Sequence, residues 1–252
     1  MGNKGGTKHL KRPAAPRFWA IPRKRMKWVV KPRAGPHDNE HSIPLAVVVR
    51  DMLRVARTGK EIRILLSQRK VKVDGRIQTD HKYPVGLMDT IEIPEARIRL
   101  RVIPATKKGL TLVDIPKEEA SFKLCRIADK STVKKGNIQL NLHDSRNLLL
   151  KVQDPRKPIE DVYSTRDTIQ LSIPEQKVMK HLKLAEGSYV ITTGGANVGR
   201  HGRVLSIELG SAARRMAVEV EASDGGRFRT IGDYIFVLGD ETPIIELGGK
   251  QT

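Results

Sequence analysis

Residues 42–93 read SIPLAVVVRDMLRVARTGKEIRILLSQRKVKVDGRIQTDHKYPVGLMDTIEI, and this stretch constrains the fold more than any other. Its apolar residues recur first at helical spacing and then at strand spacing. Leu45, Val48, Val49, Met52, Leu53 and Ala56 form the stripe of a helix expected over 44–57. Pro44 suits its first turn, where a missing N–H costs nothing. Arg50, Arg54 and Arg57, four and three residues apart, are expected to share a second face. Thr58-Gly59-Lys60-Glu61 is a capping box that opens a second helix. Ile62, Leu65 and Leu66 point inward from it, and Lys60, Arg63, Ser67 and Lys70 line its polar side. Asp74-Gly75, between Val71-Lys72-Val73 and Arg76-Ile77, gives a tight hairpin turn.

What surrounds this stretch is strongly basic. The net charge is +19 and the pI about 10.2, which points to a polyanionic partner. Residues 1–37 hold eleven Lys and Arg and no acid. Residues 38–93 hold ten against eight, 94–180 eighteen against eleven, and 181–252 eight against nine. A polyanion is therefore gripped mostly by the front and middle of the chain. In the first segment, prolines 13, 16, 22, 32 and 36 interrupt any helix, and Phe18, Trp19 and Trp28 stand among the cations. Aromatic rings among cations suit an arm that orders along RNA, phosphates on the cations and bases on the rings. Its expected contacts are Lys4, Lys8, Lys11, Arg12, Arg17, Trp19, Arg23, Lys24, Arg25, Lys27 and Trp28.

The remainder reads as strands. Ile98-Arg99-Leu100-Arg101-Val102 and Ile138-Gln139-Leu140-Asn141-Leu142 alternate with period two, and 148–150 and 168–173 add two more. One helical turn is expected over 116–120, and Pro155-Arg156-Lys157-Pro158 marks a loop. The single Cys125 lies in the apolar run FKLCRI and is expected as a small buried residue, neither half of a disulfide nor a metal ligand. His143 beside Asp144 sits at a turn and is read as structural. No catalytic residue, metal site or cofactor is expected. The longest apolar run near the N-terminus, LAVVV, falls far short of a membrane span of roughly 20 residues. MGNKGGTK misses a myristoylation signal by one place, so a soluble intracellular chain is expected.

In GSYVITTGGANVGRHGRVLSIE, glycines 187, 194, 195, 199 and 202 punctuate strands expected over 189–193 and 203–209. Gly194 and Gly199 do not make a phosphate-cradling loop, because Arg200 and His201 and then a strand follow where Lys, Ser or Thr and a helix belong. Further strands around 216–222 and 234–238 complete a small barrel.

Two resemblances follow from these residues. LLSQRKVKVDGRIQTD with YPVGLMDTIEI resembles the small RNA-binding domain named after bacterial small-subunit ribosomal protein four, a helix pair on a small sheet. The resemblance implies RNA-backbone contacts by Arg50, Arg54, Arg57, Lys60, Arg63, Arg69, Lys70 and Lys72. Gly187, Val190, Gly194, Gly199, Gly202 and Val204 resemble the KOW motif, which implies loop contacts by Asn197, Arg200, His201 and Arg203. Arg200 and His201 depart from the lysine or small residues that many such loops carry.

The order of parts, with ARTGKE, NLHDSRN, TRDTIQLSIPEQKV and TTGGANVGRHGRV, resembles the archaeal and eukaryotic family of small-subunit ribosomal protein four. The implied architecture is α+β and multi-domain: a basic N-terminal arm over 1–41, a helix-pair RNA-binding domain over 42–105, a central β-rich domain over 106–180 and a KOW β-barrel over 181–252. The implied role is structural, in the cytoplasmic ribosome. Its partners are small-subunit rRNA and neighbouring ribosomal proteins, without a membrane or a second copy. A pseudouridine synthase is disfavoured because no Arg-Leu-Asp motif is present, and a methyltransferase because no strand–glycine–helix site is. A transcription-elongation factor or RNA chaperone is the alternative that the KOW motif permits.

Overall fold

The computed structural model describes residues 7–106, 109–154, 159, 161–210 and 215–247. In the arm, β1 (Leu10–Lys11) and β2 (Trp28–Val29) pair antiparallel. Between them, prolines have removed backbone donors, and two guanidiniums supply replacements for the stranded carbonyls. Buried Arg12 donates through Nε to Trp28 O and through Nη1 to Pro22 O. Arg23 donates to the carbonyls of Arg12, Ala15 and Pro16. Ala15, Trp19 and Ile21 are buried in one core with the helix pair, and the Trp19 indole N–H donates to Ser42 O at 2.9 Å. This corrects the expectation of an arm without structure of its own: its apolar residues have a core to enter.

The helix-pair unit contains β3 (Ile43–Pro44), α1 (Leu45–Val47), α2 (Gly59–Ser67), β4 (Lys72–Val73), β5 (Arg76–Ile77), β6 (Pro84–Val85) and β7 (Thr90–Ile93). β3 pairs with β6, so Pro44 precedes the helix rather than opening its first turn. The orphan N–H groups of Leu45 and Ala46 donate to the carbonyls of Tyr83 and His81. α1 passes into a π-helical turn over Val48–Met52, in which Leu53 N–H donates to Val48 O. The expected helix over 44–57 therefore stops early, with Arg54 in the left-handed region at φ 56°. The wide turn and this reversal also separate Arg50, Arg54 and Arg57, which do not share one helical face. α2 forms as expected: the Thr58 hydroxyl accepts from Glu61 N–H, and Ile62 and Leu66 are buried. Asp74 and Gly75 have φ of 49° and 70°, the two positive values of the hairpin turn that Asp-Gly favours.

β8 (Ile98–Ala105) and β9 (Gly109–Asp114) complete a five-stranded sheet of order β5-β4-β7-β8-β9. Six register pairs join β8 to β9, so the boundary expected at 105/106 falls inside a hairpin. The central sheet comprises β10 (Phe122–Thr132), β11 (Ile138–Leu142), β12 (Asn147–Leu150), β13 (Thr168–Ser172) and β14 (Val178–Leu182), in order β12-β11-β10-β13-β14. The turn expected over 116–120 closes with Ala120 N–H on Pro116 O, ahead of a short 3-10 segment, Glu119–Ser121. The last sheet comprises β15 (Tyr189–Thr192), β16 (His201–Glu208), β17 (Ala217–Ala222), β18 (Arg227–Ile231) and β19 (Ile235–Gly239), in order β18-β17-β16-β15-β19.

The pleat of β10 links two cores. Phe122 and Leu124 point into the core of the last sheet, while Cys125 and Ile127 point into that of the central sheet. The loop 155–158, where the sequence marks an exposed turn, lies outside the described residues.

Candidate nucleic-acid interface

The expected contact residues divide by what already holds them. On the helix pair, Arg54, Arg57, Lys60, Arg63 and Arg69 are exposed and make no salt bridge among the described residues. Lys60 and Arg63 stand on α2, whose start is fixed by the Thr58 cap; Arg54, Arg57 and Arg69 stand on the segments that flank it. Arg50 is different: its guanidinium closes on Asp51 at 2.7 Å with little exposure. Lys70 pairs with Glu95 at 2.8 Å, and half-buried Lys72 lies opposite Ile77 and Glu92 in the sheet.

In the arm, Lys8, Lys11, Arg17, Lys24, Arg25 and Lys27 are exposed, and Lys4 lies outside the described residues. Trp28 is 48% exposed, with the Lys27 ammonium 5.1 Å from its ring centroid and His9 tilted against it at 5.4 Å. Trp19, Arg12 and Arg23 correct the sequence reading. Trp19 is sealed in the core, and the two guanidiniums spend their donors on the arm's own carbonyls. Their role is to shape the arm that presents the others.

The glycine-rich loop is likewise partly committed. Gly199, at φ +79°, lies so close to the β8–β9 hairpin that a Cβ would stand 2.4 Å from Thr106 N. Gly194 has the ring of Tyr234 against it. Arg200 pairs with Asp224 at 3.1 Å and lies over the Phe228 ring. His201 shares a 2.8 Å hydrogen bond with the Tyr189 hydroxyl. Burial pushes its pKa down, so it adds no charge at neutral pH. Asn197 is half-buried, and Arg203 is exposed opposite Glu221.

Sequence reasoning missed a buried cluster of charge at Lys123. Lys123, fully buried on β10, lies 2.8 Å from Asp74, 2.5 Å from Asp89 and 3.0 Å from Asp144. Arg146 adds a 2.7 Å contact to Asp74, and His37 of the arm one of 3.0 Å to Asp89. The available signal was Lys123 set between Phe122 and Leu124 in the largely apolar run FKLCRI. Burial alone would lower the Lys123 pKa; the three carboxylates raise it well above the ordinary lysine value. This cluster is satisfied internally: each carboxylate already has a cation.

Beside it, ligand atoms of Cys125, His143 and Asp144 come within 4.8 Å of one another. They do not suit a metal. His143 Nδ1 accepts from Arg126 N–H, its Nε2 bonds Leu87 O, and Asp144 is taken by Lys123 and Arg146. Cys125 is buried, as its apolar run implies.

Comparison with known proteins agrees over nearly the whole chain. Residues 4–40 match the RS4NT (NUC023) domain, 43–91 the S4 domain, and 97–178 the family described as ribosomal family S4e. The chain is 51% identical over 247 residues to the small ribosomal subunit protein eS4 of Staphylothermus marinus, covering 98% of each. It is 44% identical over 247 residues to that of Methanocaldococcus jannaschii, covering 98% of this chain and 100% of the relative. The fold resembles the crystal structure of the 30S ribosomal protein S4e from Thermoplasma acidophilum, with a TM-score of 0.65 at 29% identity. That match covers 79% of this chain and 96% of the other.

Proposed function

The chain belongs to ribosomal family S4e, and from that premise we propose that it binds small-subunit rRNA mainly through phosphates. It is a structural constituent of the small ribosomal subunit and works in the cytoplasmic ribosome. The observation that carries the RNA-binding mode is the set of exposed cations that make no salt bridge among the described residues, Arg54, Arg57, Lys60, Arg63 and Arg69, held around a firmly capped helix. Such contacts set position and register and do not read sequence. Lys8, Lys11, Arg17, Lys24, Arg25, Lys27 and Trp28 extend the surface along the arm. Half-buried Lys72 and exposed Arg203, which lies on the last sheet, add single contacts, and Arg50, Lys70, Arg200 and His201 act through their protein partners.

The proposal divides the chain into the arm, a helix-pair unit running on to residue 114, a central unit over 122–182, and a C-terminal unit from 189 that we read as the KOW module. It includes neighbouring small-subunit proteins as partners, and neither a membrane nor a second copy. No step of it is catalytic. The test is binding of the full chain to small-subunit rRNA and to transfer RNA across a salt series. A steep loss with salt and a single protected rRNA location are expected. Salt-insensitive binding, or equal affinity for both RNAs with no protected location, overturns it.

A further inference from the structure

A second basic feature lies where the arm meets the loop before β6. Lys8, Lys31, Arg33, His81 and Lys82, with one carboxylate, Asp80, line a cleft of about 560 Å³. None of these except Lys8 belongs to the surface described above. We propose that this cleft is an additional binding site for the phosphodiester backbone of RNA, a proposal that rests on the RNA-binding reading of the chain.

Both walls are built. Arg33 N–H donates to Lys82 O, which staples the arm to the loop. The Lys31 ammonium donates to Thr7 O at 2.5 Å and holds the start of the arm alongside. On the other wall, Asp80 folds its own turn by accepting from Lys82 N–H, while the carbonyls of His81 and Tyr83 cap α1. The side chains of this loop therefore project from a backbone fixed at several points. Asp80 is the one acid, and Arg33 lies 3.6 Å from it with its guanidinium 76% exposed. Four cations against one carboxylate leave the cleft with a surplus of positive charge. His81 senses that surplus: burial lowers its pKa, Asp80 pulls it back up, and Arg63 and Lys82 lower it further. Its neutral ring can offer a hydrogen bond at neutral pH.

The volume falls within the range that accommodates a nucleotide-sized group. Lysines and an exposed arginine fork are suited to phosphate oxygens. An acidic protein segment would satisfy the same charges. The half-exposed ring of Trp28, a short distance along the arm from Lys31, favours RNA, because it offers a base the stacking surface that a carboxylate peptide would not use.

The test uses the full chain with Arg33→Gln and Lys82→Gln combined. Both side chains are exposed, so folding should be retained, as near-ultraviolet circular dichroism would verify. Binding of small-subunit rRNA is measured from low to moderate salt. Losing two phosphate contacts should weaken affinity about ten-fold at moderate salt and flatten the slope of log K against log salt by about two. Lys117→Gln with Lys183→Gln, exposed lysines that do not line the cleft, serves as the matched loss of charge. A cleft double variant that behaves like wild type, or no worse than the matched control, overturns the proposal while the general reading stands. A wild-type chain that does not bind the rRNA overturns both. Since Cys125 is buried, Arg33→Cys can be labelled selectively with a photocrosslinker and assembled into subunits. Crosslinks to rRNA are expected. Crosslinks to a protein alone assign the cleft to an acidic protein neighbour and overturn the proposal.

Discussion

Lys123 and Asp74 meet 2.8 Å apart across two sheets, the ammonium from β10 and the carboxylate from the hairpin turn of the helix-pair unit. Asp89 and Asp144 complete the cage around that ammonium. Burial alone would raise both carboxyls. Lys123 overcomes it, holding Asp144 at about 2 and Asp89 well below the usual carboxylate range. Carboxyls depressed in this way stabilise the fold fully above about pH 4 and lose that contribution as pH falls through their folded values. Lys123→Met leaves three carboxylates without their central cation. It should cost about 3–5 kcal/mol at pH 7. In the variant Asp89 and Asp144 lose the cation that lowers them and titrate higher, so its deficit should shrink towards pH 4.5. Urea unfolding of both proteins at the two pH values checks this, and an equal deficit at both would remove the charge argument.

His143 adds a second acid-sensitive element. Burial pushes its pKa down to about 3, with Lys123 adding to the shift and Asp144 opposing it. The ring packs edge-on to Phe236, joining the central turn to the last sheet. In the unfolded chain the imidazole titrates near 6.5, so it stabilises the fold above that pH and the contribution is lost as pH falls towards 3. Between pH 6 and 4 the unfolding free energy should fall by an extra amount approaching about 1.4 kcal/mol per pH unit. His143→Gln should flatten this part of the profile. Urea titrations at half-unit pH steps measure the difference, and parallel profiles for the two proteins would refute it.

What could be read in the sequence follows the range of each signal. The capping box of Thr58 and Glu61, the Asp74-Gly75 turn and the alternation over Ile138–Leu142 are local and formed where expected. Lys123 was opaque because its partners Asp74 and Asp89 lie 49 and 34 residues away. Nothing local distinguishes such a lysine from a surface one except its apolar neighbours. β9 was missed because its hairpin was cut at an expected domain boundary. On the candidate interface, composition shows which segments hold the cations and cannot tell which of them are spoken for. Arg12 and Arg23 look like their neighbours in sequence, yet the carbonyls stranded by the arm's prolines claim them.

Two glycines with the same backbone need should respond differently to a methyl group. Gly187 at φ +86° has open space where a Cβ would go. Gly187→Ala therefore bears only the left-handed penalty, about 1–2 kcal/mol. Gly199 carries a similar φ, and its Cβ would also stand 2.6 Å from Ala105 C and 2.4 Å from Thr106 N. Backbone cannot swing aside as a side chain can, so Gly199→Ala should cost clearly more, about 3 kcal/mol or above. Thermal melting of the pair gives the comparison. Equal losses would mean that the loop does not lean on the β8–β9 hairpin.

The arm's two tryptophans separate folding from binding. Trp19 is 3% exposed in the core and Trp28 48% exposed beside Lys27. Trp19→Ala should destabilise the helix-pair unit by about 3–5 kcal/mol, since it opens a large cavity and strands the Ser42 carbonyl. Trp28→Ala leaves the backbone carbonyl that accepts from Arg12 in place, so stability should change by less than about 0.5 kcal/mol. Its rRNA affinity should nevertheless fall by about 1–3 kcal/mol, the worth of one stacked base. Urea unfolding with a parallel rRNA titration measures both quantities for each variant. A Trp28→Ala protein with unchanged affinity would remove base stacking from the arm. Deleting residues 2–33 is not an equivalent experiment, because it takes Ala15, Trp19 and Ile21 out of the core along with the exposed cations. Binding lost on that deletion would reflect a damaged helix-pair unit as much as absent phosphate contacts, and only the point variants assign the loss to one or the other.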